Sequence, residues 1–418
     1  SLHNAWKVQD IRKKLIYTFF MLILFRLVGV IPAPGVDYVR VKSAMSGSNL
    51  PLLDLVNMMT GSNFSNMTIM AMGITPYINS SIIMQLLTIA IPALERLSKS
   101  GPDGQKKIAS ITRYVTVVLA VIQAIGLVYS LGYIKSGWFN TVLVGVSMAA
   151  GTALAMWIGE RITANGLGNG VSLLIFAGII SNLFNGFTSL IANAFSATSL
   201  TPWLTLLAVL LFALVMIVVV TFVDMGVRRI QVQYAKRVTG RKMYGGQSSI
   251  LPLKVCSVGV MPLIFAYSFM AFPSTLIQLF GGSESGLGLW WSRYMNYYSP
   301  LYMIVTALLI IAFTYFYTSI SFQPDEMAKN IQQQGGVIPH VRPGKPTADF
   351  LARTNNRLTL FAALFLAVLA TLPNLFTVGL QTSVPFAASS LLIAVSVVLE
   401  TKRQLDDLLV SRNYDTLT

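Results

Sequence analysis

Charge is scarce in this sequence. Of its 418 residues only 11% are Asp, Glu, Lys or Arg, while 54% are hydrophobic. Mean hydropathy is +0.66. A soluble protein carries about 25% charged residues, so the composition describes a polytopic membrane protein. Cysteine is nearly missing. The single Cys256 excludes an intramolecular disulfide and a cysteine-based metal site. The two histidines, His3 and His340, are too few and too far apart in sequence to suggest a metal centre. Acidic residues are almost absent from the apolar runs, which lowers the case for a proton- or sodium-coupled transporter. There is no Walker A run, no H-E-x-x-H and no G-x-S-x-G elbow. Gly166-Leu167-Gly168-Asn169-Gly170 looks like a phosphate loop, yet it lies between two apolar runs and reads as a tight turn. The first apolar run is of full span length and lacks an A-x-A-like end, so no cleavable signal peptide is expected.

Two stretches that are present organise the rest. Gly73 to Leu87, GITPYINSSIIMQLL, is apolar enough for a membrane but carries Gly73, Pro76, Asn79, Ser80, Ser81 and Gln85. On a helix, Ile74, Ile78, Ile82 and Leu86 form one apolar stripe. Gly259 to Thr275, GVMPLIFAYSFMAFPST, has similar character, with a second proline expected to break it. Paired Gly/Pro-interrupted spans in two halves point to a transport path near the midplane.

Ten spans are expected, at about 15–33, 74–92, 109–131, 139–159, 171–192, 203–223, 255–280, 300–320, 357–376 and 382–400. Arg26 falls near the far end of the first and is expected to snorkel. Gly145, Ala149 and Ala153 have small-xxx-small spacing, which favours close helix packing. If the N-terminus lies inside, the outside segments hold only Arg40, Lys42, Lys135 and Arg293 among the basic residues, so both termini are read as cytoplasmic. Ten spans divide into halves of five, residues 1–200 and 201–418. An odd number per half implies inverted halves, with the interrupted spans second in each. The fold class is therefore all-α, with ten transmembrane helices in two inverted halves. Residues 61–72 are too short to cross, and read as a small movable element in a cavity or as a surface loop.

The net charge of +15 concentrates in two large loops, 224–254 and 322–356. In the first, Ile230, Val232, Tyr234 and Val238 alternate with cations. An anionic-lipid-facing rim would explain the charges, as would an RNA surface or an acidic protein partner. The size of the loops favours a protein or ribonucleoprotein partner.

The stretches IPAPG (31–35), GITPYINSSIIMQLL (73–87), GNGVSLLIFAG (168–178), YAKR–GR (234–241), LPLKV (251–255) and VRPGKPT (341–347) together resemble the SecY family of bacterial protein-conducting channels. His340 departs from the small residue common before the Arg-Pro-Gly turn. The resemblance implies an hourglass pore that passes unfolded polypeptides across the bacterial cytoplasmic membrane and membrane proteins laterally into it. It is not an enzyme and needs no cofactor. The pore ring would be Ile78, Ile82, Val171, Ile175, Val260, Ile264 and Ile393. Three of these pairs stand at i, i+4 spacing, and an apolar constriction gates by dewetting. The plug would include Asn63, Phe64, Ser65, Asn66, Met67, Thr68, Ile69 and Met70. Asn79, Gln85, Gln123 and Phe272 would lie at a lateral gate that admits signal sequences. Arg237, Arg241, Arg342 and Lys345 would dock the SecA ATPase or a ribosome. The membrane subunits SecE and SecG, and anionic lipids, complete the implied partners. A small-solute secondary transporter is the alternative class. The aliphatic waist, the missing membrane carboxylates and the large basic loops speak against it.

Overall fold

The apolar runs form long helices in the computed structural model, which describes residues 6, 8–37, 63, 66–130, 138–196, 201–234, 237–239, 242–244, 248–256, 259, 261–279, 286–295, 299–380 and 388–415. In chain order come α1 (Gln9–Val28), α2 (Thr75–Ala90), α3 (Pro92–Lys99), α4 (Pro102–Ser130), α5 (Trp138–Asn165), α6 (Gly170–Ser196) and α7 (Thr201–Asp224). Strands β1 (Val227–Tyr234), β2 (Arg237–Thr239), β3 (Lys242–Tyr244) and β4 (Ser248–Lys254) follow. Then come α8 (Met261–Leu279), α9 (Gly286–Tyr294), α10 (Pro300–Ser321), α11 (Pro324–Gln333), β5 (Gly336–Val337), α12 (Lys345–Leu380) and α13 (Ala388–Asp415).

Among the described residues, six helical stretches are long and apolar enough to cross a membrane, carried by α4, α5, α6, α7, α10 and α12. A seventh counts if α2 and α3, bent by 102° at Ile91, form one broken span. The chain is thus a polytopic helical membrane protein. α1 fails that test through its charges, since Arg12, Lys13, Lys14 and Arg26 all lie within its 20 residues.

The helices pack in two groups. α4 lies against α2 and α5, and α5 against α1 and α6. α10 lies against α8 and α12, and α13 against α7 and α12. The groups meet at two seams: α8 touches α2 and α4, while α6 touches α7 and α13.

Several expectations need correction. Pro76 does not interrupt α2. It sits in the first turn, where its missing N–H removes no helical bond, and Gly73 precedes it at φ +52°. Pro273 does not break α8 either, because the helix runs through it. Membrane helices tolerate proline through local adjustment, and here seven consecutive residues before it, 262–268, are buried. Arg26 does not snorkel. Its guanidinium turns inward and donates to the Ala177 carbonyl of α6, since an apolar surround makes a protein acceptor worth more than distant water. α1 ends at Val28, and Pro32 instead forms an isolated bridge with Thr68.

Outside the apolar region the helical fold carries a small sheet. β1 pairs antiparallel with β4 from Val227↔Lys254 to Gln233↔Ser248. β5, from the other large loop, adds to the far edge of β1 through Gln233↔Val337 and Tyr234↔Gly336. The alternation of Ile230 and Val232 with Arg229, Gln231 and Gln233 has the period of a strand. Ile230, Val232 and Leu253 share a core with Ile331, Ile338 and Leu351. The two basic loops are therefore one small unit.

That unit stands on a defined joint. Arg403 of α13 donates to the Asp224 backbone carbonyl at 2.7 Å and to its carboxylate at 3.1 Å. One side chain thus caps the end of α7 and neutralises an acid that is only 12% exposed. Arg403→Ala strands both acceptors and is expected to cost about 2 kcal/mol. Thermal unfolding of the purified protein in detergent checks this. An unchanged midpoint would mean the joint carries no stability.

Candidate functional site

Helix α5 fixes the geometry of the centre. It lacks side chains where its neighbours come closest. A Cβ on Gly145 would stand 2.5 Å from Ile125 of α4, which realises the close packing expected from Gly145, Ala149 and Ala153. A Cβ on Gly170 of α6 would stand 1.9 Å from the Gly159 carbonyl. The glycine-rich run 166–170 is therefore a helix–helix turn. Thr18 of α1 secures it by accepting from the Leu167 N–H at 2.9 Å. Asn169 caps α6 by accepting from the Val171 N–H at 3.1 Å.

These approaches gather the aliphatic residues expected at the waist. Ile78, Ile82, Ile175, Ile264 and Ile393 belong to one buried cluster, and Val171 packs against it half-buried. They come from α2, α6, α8 and α13, on both sides of the two seams. Val260 lies outside the described residues.

Met70 belongs to the same cluster. Its segment is seated by three contacts. The Ala33 N–H donates to the Met67 carbonyl at 3.1 Å, and the Ile69 N–H to the Ile31 carbonyl at 3.0 Å. The Ile69 carbonyl lies over Gly151 of α5, 2.1 Å from where a Cβ would be. Met67 and Met70 are fully buried, Asn63 and Thr68 are buried, Ile69 is half-buried and Asn66 is exposed. Phe64 and Ser65 lie outside the described residues.

At the other side of the waist is a cavity of about 690 Å³, lined by Tyr77, Val171, Met261, Arg113, Glu160 and Arg161 among others. Its charges are disposed in two ways. Arg113 of α4 donates to the Glu160 carboxylate of α5 at 2.7 Å. Arg161 stands over the Trp157 ring at 5.5 Å. Glu160 is nine residues beyond Gly151 on α5, roughly 14 Å along the helix axis. Cavity and seated segment therefore occupy opposite sides of the cluster. Sequence reading passed over Glu160 and Arg161, although a charged pair closing the fourth apolar run was the available signal.

A second cavity, about 400 Å³, opens between α2, α4 and α10. Its walls are rich in hydroxyls and amides, including Ser81, Gln85, Thr88, Thr112, Tyr317 and Ser321. Ser80, one of the polar residues of the 73–87 stretch, donates to the Thr112 carbonyl at 2.9 Å and ties α2 to α4. The expected gate residues are only partly gathered here. Gln85 lines the cavity with its Oε1 unpartnered. Gln123 is buried eleven residues further along α4, also with an unpartnered Oε1. Asn79 is half-buried on α2. Phe272 lies in α8, but its side chain is outside the described part.

Of the expected docking residues, Arg342 and Lys345 are exposed. His340 takes φ +66° and Gly344 φ +95°. Thr347 donates its hydroxyl to the Arg342 carbonyl at 2.8 Å. The tip is a pinned turn that presents the Arg342 side chain outward. Arg237 lies in β2 with its side chain outside the described part, and Arg241 is outside the described residues. Among the described residues, no three His, Cys, Asp or Glu side chains gather in a metal-binding arrangement.

A buried aliphatic cluster between a seated segment and a charged, open cavity suits a channel-type membrane protein. The SecY family model matches residues 68–402. The protein translocase subunit SecY of Streptomyces scabiei is 41% identical over 99% of this chain and 98% of its own. The corresponding subunits of Mycobacterium tuberculosis and Halalkalibacterium halodurans are each 40% identical over 99% of the chain and 98% of their own. Among solved structures, one described as a protein-conducting channel superposes with a TM-score of 0.72 at 20% identity, covering 96% of this chain and 93% of that one. Sec61 from a canine ribosome–channel complex superposes at 0.67 and 17% identity, over 96% and 93%. The chain belongs to the SecY family of protein-conducting channels.

Gly151→Val puts a branched side chain where the Ile69 carbonyl now rests. Overpacking of this kind costs roughly 1–3 kcal/mol, and the short 66–70 segment is more easily moved than α5. Ion leak across vesicles carrying the variant is expected to rise. A tight seal would show that the segment is not held by this contact.

Proposed function

We propose that this chain forms the pore through which unfolded secretory polypeptides cross the bacterial cytoplasmic membrane. The observation that carries the reading is that the expected ring residues of α2, α6, α8 and α13, together with Met70, lie in or against one buried hydrophobic cluster, to which α1, α5, α7, α10 and α12 also contribute. Such a waist binds no particular sequence and closes by excluding water. Ile78, Ile82, Val171, Ile175, Ile264 and Ile393, with Val260, act as the ring, and residues 61–72 act as the plug.

Ten spans in two inverted halves, 1–200 and 201–418, remain our reading of the topology. The two packing groups and two seams support it, and so does the basic-residue asymmetry, with both termini cytoplasmic. The hydroxyl-lined cavity between α2, α4 and α10 is the seam through which a signal sequence reaches lipid. Its unpartnered Gln85 oxygen costs free energy while the seam is shut. SecE and SecG are the expected membrane partners. A SecA ATPase or a ribosome docks on the sheet unit, through Arg342, Lys345, Arg237 and Arg241, and anionic lipids surround it.

Two experiments test this. Ile264, 5% exposed within the cluster, is replaced by Asn. Ion conductance of reconstituted channels should rise, and defective signal sequences should be accepted more readily. Unchanged conductance and stringency would remove Ile264 from the ring.

Arg342→Glu reverses the charge at the pinned tip. Loss of a desolvated charged contact costs about 2–5 kcal/mol, so ATP-driven precursor transport should be blocked while membrane insertion persists. A lipid-facing rim predicts little change, because that attraction is spread over many cations. Near-normal transport would end the docking role. Normal motor binding with blocked transport would move the residue from docking to coupling.

A further inference from the structure

The cavity beside the waist holds two guanidinium groups and one carboxylate, and the three are not equivalent. Glu160 is committed to Arg113 at 2.7 Å, across two helices. Arg161 makes no ion pair among the described residues. It is exposed, and its guanidinium is displayed on Trp157, which is itself 43% exposed. An indole face holds a guanidinium in place without satisfying its donors. The cavity therefore carries one neutralised pair and one cation open to solvent. Val171 and Met261 in the same wall put that cation next to the waist, so a chain entering the constriction passes it.

We propose that Arg161 makes this cavity a charge-discriminating site for the polypeptide in transit. It pairs transiently with Asp and Glu side chains of the entering chain and repels Lys and Arg. The Arg113–Glu160 pair holds α4 against α5 and keeps occupied the only carboxylate among the described residues of the cavity wall. Entering lysines thus find no ready counter-charge. This rests on the polypeptide-conducting reading above.

The test uses the full channel with its membrane subunits in vesicles, driven by its motor ATPase. Three passengers of one length and one signal sequence differ only in a short mature segment that is acidic, neutral or basic. Each channel variant is read as the ratio of acidic to basic transit rates. An exposed ion pair is worth up to a factor of about five, so the wild-type ratio is expected at roughly three to five. Arg161→Gln should bring it close to one, Arg161→Glu should invert it, and Arg161→Lys should retain most of it. Raising salt in the wild type should compress it, because the contact is solvent-screened. If Arg161→Gln does not assemble, the wild-type salt series and Arg161→Lys still decide. A wild-type ratio of one, or a ratio that survives Arg161→Gln, overturns the proposal. Failure of the neutral passenger to cross the wild-type channel would instead overturn the conducting function itself.

Discussion

In a bilayer, burying apolar surface between helices gains little, because lipid tails are as apolar as leucine. Helices associate there through close packing and hydrogen bonds, and backbones must be able to approach. α5 is the helix in which this constraint is met most fully. Gly145 admits Ile125 of α4, Gly151 admits the Ile69 carbonyl, and Gly159 receives Gly170 and Val171 of α6. Each is a contact that a side chain would abolish. The consequences run outward from α5. The approach of α6 places Val171 and Ile175 at the cluster, the approach of α4 brings Arg113 to Glu160, and the recess at Gly151 seats the segment carrying Met70.

Polar groups at the helix contacts fall into two sets. Where helices need to stay together, polar atoms are satisfied: Ser80 on Thr112, Thr18 on Leu167, Arg26 on Ala177, Arg403 on Asp224. Among the described residues other buried polar atoms lack partners: Asn63 Nδ2 beside Gly29, Gln85 and Gln123 Oε1 on α2 and α4, and also Thr152 Oγ1 on α5, Trp291 Nε1 on α9 and Thr306 Oγ1 on α10. An unpaired buried polar atom costs roughly 1–3 kcal/mol, and water or a passing peptide would relieve it.

Much of this was legible in the sequence because hydrocarbon imposes a simple code. Apolar run length gave the helices, and i, i+4 spacing put Ile78 and Ile82 on one face of α2 and Val171 and Ile175 on one face of α6. Small-residue spacing gave the α4–α5 contact. Proline was read too literally: Pro76 falls in the first turn, where it removes no helical bond, and Pro273 is accommodated within a packed membrane bundle. The strand period in residues 229–234 was visible, but the attention given to the cations beside it hid it. Arg161 was missed for a different reason. Its significance depends on Glu160 being bound to Arg113, a residue 47 positions away, and no local pattern reveals that.

α13 joins the waist to the sheet unit. Ile393 sits in the aliphatic cluster, and Thr401 lies against Gly168 in the α5–α6 turn. Arg403 holds Asp224 at the foot of the β1–β4 pair, and Leu405 packs with Ile11 and Leu167. From Ile393 to Arg403 is ten residues, about 15 Å of helix. A helix that length is stiff, and its contacts alternate between the two packing groups. Displacing the sheet unit relative to the waist therefore requires tilting α13, breaking the Arg403 joint, or sliding α13 over the 166–170 turn. Tilting alone leaves the hydrogen bonds intact, so it costs least. It carries Ile393 with it, so under the proposed function a displacement of the sheet unit reaches the aliphatic cluster through α13.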